Sequence, residues 1–372
     1  MIIENLYLRN FRNYKECEIS FDPFMNIFIG KNAQGKTNIL EAIYLLSITK
    51  SFRTHILKEL IYFGEDFSRL RMNLLSSKDH ISLEIIISKL GKKALINNKE
   101  IHKSSEYVGY LNVVLFTPDD LQLIKGSPKK RRSFLDLEIS KISPIYLFNL
   151  NKYKKLLKER NEYLKLLHDS KKNEDEYLEV LSEQLAKLSV DLIKKRIEFI
   201  SLLNELAQEV YKYVSDGKEE LNISYKCSYK EIEYEYILSK YKDHYSKDIF
   251  YSTTNIGIHK DDLKIELDGK DASLYASQGQ QRSIVLSIKI GLLELIKREI
   301  GEYPILLLDD VLSELDDERR VRMLNLISNK VQTFITTTSI EGLNHEIINR
   351  SRKIYIEEGM VKGVNDGRKS SS

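Results

Sequence analysis

Only two cysteines, Cys17 and Cys227, occur in 372 residues, and they lie far apart, without the close spacing of a metal knuckle. That excludes a disulfide-stapled scaffold and a cysteine zinc site, and it fits a reducing, cytoplasmic setting. An excess of one charge is missing too: 58 Lys and Arg stand against 55 Asp and Glu, a formal net charge of +3. Affinity for a polyanion must therefore come from local patches rather than from the whole surface. No apolar run approaches the roughly 20 residues that span a bilayer, and Glu4, Arg9 and Arg12 interrupt the N-terminal stretch. Neither a membrane partner nor an export signal is expected. Glycine is absent between Ser143 and Ser215, which removes the commonest helix breaker from a long segment.

What is present supports a globular chain of two lobes, because 42% hydrophobic residues can fill a core and the length exceeds one typical domain. Residues 1 to about 90 read as α/β: IIENLYLRNF alternates, MNIFIG is a short apolar run, and TNILEAIYLLSI has helical spacing. ISLEIII, the polar turn KLGKK and ALINNKEI form a hairpin pattern. In the glycine-free segment, Leu156, Leu157, Leu164 and Leu167, then Leu178, Leu181, Leu185, Leu188 and Leu192, recur at three- and four-residue spacing. Two long helices follow, turned at His168–Glu174 into an antiparallel hairpin. The Tyr- and Lys-rich stretch 225–251 reads as the chain's return, and α/β patterning resumes at Ile256. The expected division is 1–113 and 251–366 for a split α/β head, 114–250 for an inserted, mostly α-helical lobe, and 367–372 for a disordered tail.

The strand MNIFI, the segment Gly30-Lys31-Asn32-Ala33-Gln34-Gly35-Lys36-Thr37 and the helix behind it match G-x-x-x-x-G-K-[ST] in its required strand–loop–helix context. Glycines let such a loop wrap phosphates closely, and backbone N–H groups at the helix N-terminus bind the anion. Lys36 then reaches the β- and γ-phosphates of ATP, and Thr37 offers its hydroxyl to Mg²⁺. A glycine-rich turn capping a helix is the plainer alternative, which the flanking elements disfavour. The magnesium site needs a carboxylate at the end of a buried strand, and Pro304-Ile305-Leu306-Leu307-Leu308-Asp309-Asp310 supplies one. Asp309 is the metal-side candidate, and Asp310 is placed to position or deprotonate the attacking water; a strand ending in a helix-capping Asp is the alternative. Lys36 and Asp309 are far apart in sequence, so something large is inserted between the halves of the site.

Between them stands Ser277-Gln278-Gly279-Gln280-Gln281-Arg282 at the start of a helical run, and beyond them Ser313-Glu314-Leu315-Asp316. In this order the set resembles the ABC-type ATPase heads of chromosome-maintenance and recombination proteins, with SQGQ as signature motif and SELD as D-loop. The resemblance implies that Ser277 and Gly279 complete the γ-phosphate site of a second copy, making an ATP-dependent homodimer. It also implies that Arg12, in LYLRNFRNY, contacts the nucleotide; a solvated turn arginine is the alternative. Thr338 or Ser339 stands where those heads carry a switch histidine, and no Q-loop glutamine is identifiable.

The insert is too short for a condensing arm. Phe116-Thr117-Pro118-Asp119-Asp120-Leu121, Lys125-Gly126-Ser127-Pro128-Lys129-Lys130-Arg131-Arg132, Gly257-Ile258-His259-Lys260-Asp261-Asp262-Leu263 and LLLDDVLSELD resemble the RecF family of recombination mediators over residues 1 to about 365. That resemblance implies duplex DNA near single-strand gaps, the mediators RecR and RecO, and loading of a recombinase in repair and replication restart. The basic KGSPKKRR stretch could contact DNA phosphates, or its arginines could pair with acids in the fold. His259 reads as a loop histidine satisfied by its neighbours rather than a catalyst. Asp310 in place of a glutamate and the missing histidine point to slow hydrolysis.

Overall fold

The computed structural model describes residues 1–77, 79–171, 175–312, 315–340 and 346–367. Within it the chain forms two compact units, one of Met1–Asp120, Glu209–Lys218 and Gln278–Ser372, the other of Leu121–Gln208 and Glu219–Ser277.

In the first unit the chain begins with β1 (Ile2–Phe11), β2 (Tyr14–Ser20) and β3 (Met25–Ile29), followed by β4 (Phe67–Leu75), β5 (His80–Ser88), β6 (Gly91–Ile96), β7 (Lys99–Ile101) and β8 (Val113–Phe116). β1, β2 and β4 to β7 make an antiparallel sheet in the order β2-β1-β4-β5-β6-β7. Along β4 the burial alternates strictly, as expected for strands with one face on a core.

β3 and β8 leave that sheet for a second one, where the C-terminal strands of the unit join them. The second unit contributes β9 (Leu221–Lys226), β10 (Asp262–Leu267) and β11 (Lys270–Asp271) to a small sheet of its own, in the order β11-β10-β9. The chain then supplies β12 (Ile305–Asp309), β13 (Thr333–Thr337), β14 (Arg352–Glu357) and β15 (Met360–Asp366), giving the order β15-β14-β3-β13-β12-β8. From β14 to β8 every pairing is parallel. A parallel sheet is covered on both faces, which is why MNIFI, TFITT and most of ILLLD read as continuous buried runs. Each buried Leu or Ile there contributes about 1.5–3 kcal/mol.

The helix Lys36–Ile48 is apolar on nearly every side and almost wholly buried. Gly35 starts it at φ 113°, and Thr49 ends it at φ 58° with its N–H on the Leu45 carbonyl at 2.8 Å.

The second unit is mainly helical. Ser143 caps the helix Pro144–Asp169 through the Tyr146 N–H, with proline at its first position. The helix Glu176–Val214, whose residues from Glu209 on belong to the first unit, runs antiparallel to it, since Tyr177 meets Glu159, Ser182 meets Arg160 and Arg196 meets Tyr146 in turn. The hairpin expected from leucine spacing is therefore present; residues 172–174 of its turn lie outside the described residues. Two fully buried arginines hold this unit. Arg160 bonds Asp248 at 2.8 Å and Thr254 at 2.7 Å, and Arg196 bonds Asp136 at 2.6 Å and the Tyr146 hydroxyl at 2.9 Å. Removing one partner of such a pair costs about 3–5 kcal/mol.

The compact units depart from the expected boundaries at both joins. β8, with residues up to Asp120, stays with the head sheet, because Ile305–Leu308 pair with Val113–Phe116. Residues 251–277 belong to the second unit, because β10 pairs with β9 from Asp262↔Lys226 to Leu267↔Leu221. The chain rejoins the first unit at Gln278.

Candidate functional site

Because β3, β13, β12 and β8 are parallel, their carboxyl ends lie along one edge, where open α/β sheets bind ligands. Gly30 follows β3 and Asp310 follows β12 on that edge. At Gly30 a Cβ would stand 2.3 Å from the Ile356 carbonyl oxygen, so only glycine lets the loop leave the strand there. The loop is pinned from outside: Gln34 O accepts from Asn13 Nδ2 and from Gly359 N, each at 3.0 Å. Gln34 Oε1 accepts from Glu358 N at 2.6 Å, and the Gly35 carbonyl accepts from the Tyr14 hydroxyl at 3.1 Å. Lys31, Asn32 and Ala33 form its exposed crest, Ala33 in the left-handed region at φ 64°. Lys36 closes the loop from inside, its Nζ donating to the carbonyls of Gly30 at 2.5 Å and Lys31 at 2.8 Å. Burial lowers the pKa of this ammonium, while Asp310 and Asp309 pull it back up.

One carboxylate oxygen joins the halves of the chain. Asp309 Oδ1 accepts from Thr37 Oγ1 and from Thr336 Oγ1, both at 2.8 Å. Thr336 Oγ1 in turn accepts from Asp310 N at 2.9 Å, and Asp310 sits at φ 54°, a left-handed conformation that non-glycine residues seldom adopt. Neighbouring oxygens of an octahedral Mg²⁺ lie about 3 Å apart, given bonds of about 2.1 Å. Thr37 Oγ1 and Asp309 Oδ1 fit that edge. Among the described residues no group of three or more His, Cys, Asp or Glu could hold a metal by itself. Thr37 and Asp309 would give the sparse protein donor set that Mg²⁺ uses when phosphate and water fill its shell.

Arg12 is held by the fold rather than left to solvent. It stands at φ 53°, its Nε and Nη2 donate to Glu41 at 2.9 and 2.6 Å, and its Nη1 donates to the Glu59 carbonyl at 2.8 Å. The fully buried Glu41 also receives Ser51 and Arg53, so it presents two guanidinium groups beside the loop. They line, with Asn13, Asn38, Ile56, Ile61 and Phe63, a cleft of about 930 Å³. At the far edge, Lys289 donates to the Leu115 carbonyl at 2.7 Å and pairs with Asp120 at 2.7 Å, fixing the turn after β8.

Ser277 is exposed ahead of the helix Gln278–Ile300. At Gly279 a Cβ would reach within 3.0 Å of Arg319 Nη1. Arg319 bonds Asp316, which caps the helix Asp317–Ile327; Ser313 and Glu314 of the expected D-loop lie outside the described residues. Thr338 is exposed, and the Ser339 carbonyl accepts from Thr337 Oγ1 at 2.7 Å.

The basic stretch divides. Arg131 grips Asp262 with two bonds of 2.7 and 2.8 Å, and Arg132 donates to the Asp261 carbonyl at 2.8 Å, so both arginines serve the fold. Lys125, Lys129 and Lys130 are exposed. His259 is held between the Tyr153 hydroxyl at 2.9 Å and the Thr254 carbonyl at 3.0 Å, and burial lowers its pKa to about 4.

Thr336, Glu41, Asn13 and the Lys289–Asp120 pair are the site residues that motif reading missed. Thr336 is one of four hydroxyl residues in Thr336-Thr337-Thr338-Ser339, and only the strand register selects it. Glu41 carried a usable signal, a lone carboxylate in a largely apolar helix.

A family model described as "RecF/RecN/SMC N terminal domain" matches residues 2–362. The DNA replication and repair protein RecF of Bacillus cereus (strain AH820) is 46% identical over 369 residues, covering 97% of this chain and 98% of that protein. The chain belongs to the RecF family. RecF of Bacillus anthracis (strain A0248) matches with the same identity and coverage. The structure of the recombination mediator protein RecF with ATP in the RecFOR pathway superposes with a TM-score of 0.89 at 34% identity, covering 97% of each chain. A SMC head bound to the C-winged helix domain of ScpA shares the fold, with a TM-score of 0.57 at 18% identity over 98% of each chain. The fold of this RecF-family chain is thus the mixed α/β ABC-type ATPase head with a large, mainly helical insert. Among the described residues no helix is long and apolar enough to cross a membrane.

Proposed function

We propose that this chain binds MgATP on the loop Gly30–Thr37, dimerises on duplex DNA near single-strand gaps, and hydrolyses ATP slowly to let go. The observation that carries the reading is the hydrogen bond from Thr37 Oγ1 to Asp309 Oδ1 beside the Lys36 ammonium. In it Lys36 neutralises the β- and γ-phosphates, and Thr37 with Asp309 holds Mg²⁺, which supplies charge neutralisation on the phosphate oxygens. Asp310 orients the attacking water, and the signature residues Ser277 and Gly279 of a second copy close over the γ-phosphate. Glu41 aims Arg12 at the nucleotide.

Slow turnover is favoured by Asp310, whose side chain is one methylene shorter than glutamate, and by Thr338 or Ser339 where a histidine is expected. A clamp in which ATP is chiefly a dimerising ligand is the limiting form of this reading. Family membership further supports a role with RecR and RecO in loading a recombinase at gaps during repair and replication restart. Lys125, Lys129 and Lys130 are the DNA contacts we assign, positioning the duplex through its phosphates.

The test is ATP turnover of the wild type and of Lys36→Ala, with and without gapped duplex DNA. Turnover that DNA accelerates and the variant lacks, along with at least tenfold weaker ATP binding by the variant, is expected. Undiminished ATP affinity in Lys36→Ala would mean that the loop is not the nucleotide site.

A further inference from the structure

Two of the most exposed large hydrophobic side chains stand directly ahead of the signature motif. Leu274 is 75% exposed and Tyr275 is 70% exposed, on the short turn of helix Ala272–Tyr275 that leads through Ala276 to Ser277. That turn is fixed rather than frayed: Asp271 accepts from Ser273 N at 2.8 Å, and Ala272 is buried beneath it. Local folding therefore presents the pair outward and gives neither side chain anything to cover it.

The same chain carries a second open surface, part charged and part apolar, beside the phosphate loop. The cleft of about 930 Å³ begins at Asn13 and Asn38, the first bonded to Gln34 of the loop and the second following Thr37. Phe63, 97% exposed, and Ile56, 58% exposed, also line it. Four large apolar side chains in two patches thus lie open, one patch next to Ser277 and the other next to the loop that Ser277 would cover in a second copy. Three residues of chain reach at most about 10 Å. A signature serine seated on the partner's phosphates thus holds its own Leu274 and Tyr275 within about 10 Å of them, on the loop that the cleft's Asn13 adjoins. In a twofold dimer each contact occurs twice, so the two patches are buried together.

We infer that Leu274 and Tyr275 form the apolar anchor of the ATP-bridged dimer, docking against Ile56 and Phe63 of a second copy. This rests on the reading that ATP bridges Lys36 of one copy and Ser277 of the other. The bridge then supplies the switch, and the anchor supplies binding strength. Central aromatic and aliphatic residues of this kind dominate interface energetics, and charged replacements there act on dissociation.

The test compares the full-length wild type with Leu274→Asp, Tyr275→Asp and Ser277→Arg by light scattering over a concentration series with MgATP. Leu274→Asp and Tyr275→Asp should each raise the dimer dissociation constant at least tenfold while binding ATP as monomers with unchanged affinity. A mixture of Tyr275→Cys and Phe63→Cys chains, both on a Cys227→Ser background, should join into a species of twice the mass with a short bismaleimide only when MgATP is present. That second measurement decides the matter should an aspartate variant fold poorly. If Ser277→Arg abolishes dimers while the two aspartate variants dimerise like wild type and no cross-link forms, the anchor is refuted and the bridge stands. If Ser277→Arg dimerises normally, the bridge itself fails.

Discussion

Thr336→Val tests whether the threonine that no motif marks holds the metal-side carboxylate. The substitution keeps shape and burial but removes the hydroxyl that donates to Asp309 Oδ1 at 2.8 Å and accepts from Asp310 N at 2.9 Å. A hydrogen bond to a charged group contributes about 1.5–3 kcal/mol, and a stranded N–H costs about 1–3 kcal/mol when buried. Asp310 is only half-buried, so water recovers part of the second loss. The first loss falls on the orientation of Asp309, and outer partners of metal ligands are typically worth about 10–100-fold in metal affinity. We therefore expect the Mg²⁺ concentration for half-maximal ATP turnover to rise roughly 10–100-fold, at one decade per about 1.4 kcal/mol. ATP binding without Mg²⁺ should barely change, because the Lys36 contacts are untouched. Thr336→Ser keeps both hydrogen bonds and should behave as wild type. The assay is a magnesium titration of turnover at saturating ATP, with thermal melting to confirm folding. A folded Thr336→Val chain with the wild-type magnesium curve would refute the reasoning.

Other perturbations separate fold from function. Replacing Lys125, Lys129 and Lys130 together by alanine should weaken DNA binding alike on all sequences and lower the salt slope by roughly 0.9 for each phosphate that is no longer neutralised. Unfolding should stay put in that variant; an unaltered salt slope would remove these lysines from the interface. Arg131→Ala should instead destabilise the second unit by about 1–3 kcal/mol, because its two bonds to Asp262 disappear, and denaturant melts would detect it. His259 gives a pH signature. Its pKa falls from 6.5 to about 4 in the fold, so between those values unfolding takes up a proton and stability drops as the pH falls. The total is roughly 3 kcal/mol, reached near pH 4. His259→Gln should flatten that part of the stability curve, and an identical curve for the variant would place the acid sensitivity elsewhere.

Local signals are strong where chemistry and packing coincide. The loop Gly30–Thr37 needs small residues for close approach, and its strand and helix are covered on all sides, so composition, spacing and burial agree. The strand Ile305–Asp309 is readable for the same reason. What cannot be read depends on partners distant in sequence. β9, LNISYK, alternates as a strand does, but that pattern does not name β10 as its partner, and the chain returns to the head later than its patterning suggests. Arg131 finds Asp262 only in three dimensions, so a basic run cannot be told from a basic patch. Arg12 likewise depends on a left-handed backbone and on Glu41 across the fold.

The parallel sheet also orders events during synthesis. β3 pairs only with β13 and β14, so after the ribosome makes Met25–Ile29 its partners are roughly 300 residues away, or about 15–60 s at ordinary elongation rates. The antiparallel sheet, drawn from the first hundred residues or so, can close at once. Through that interval a strand that ends fully buried and a largely apolar helix wait without their neighbours. A growing chain is therefore most exposed to aggregation and chaperone capture at the segment that will later hold the phosphate loop. Truncated chains ending before Thr333 should retain the antiparallel sheet yet lack any nucleotide site.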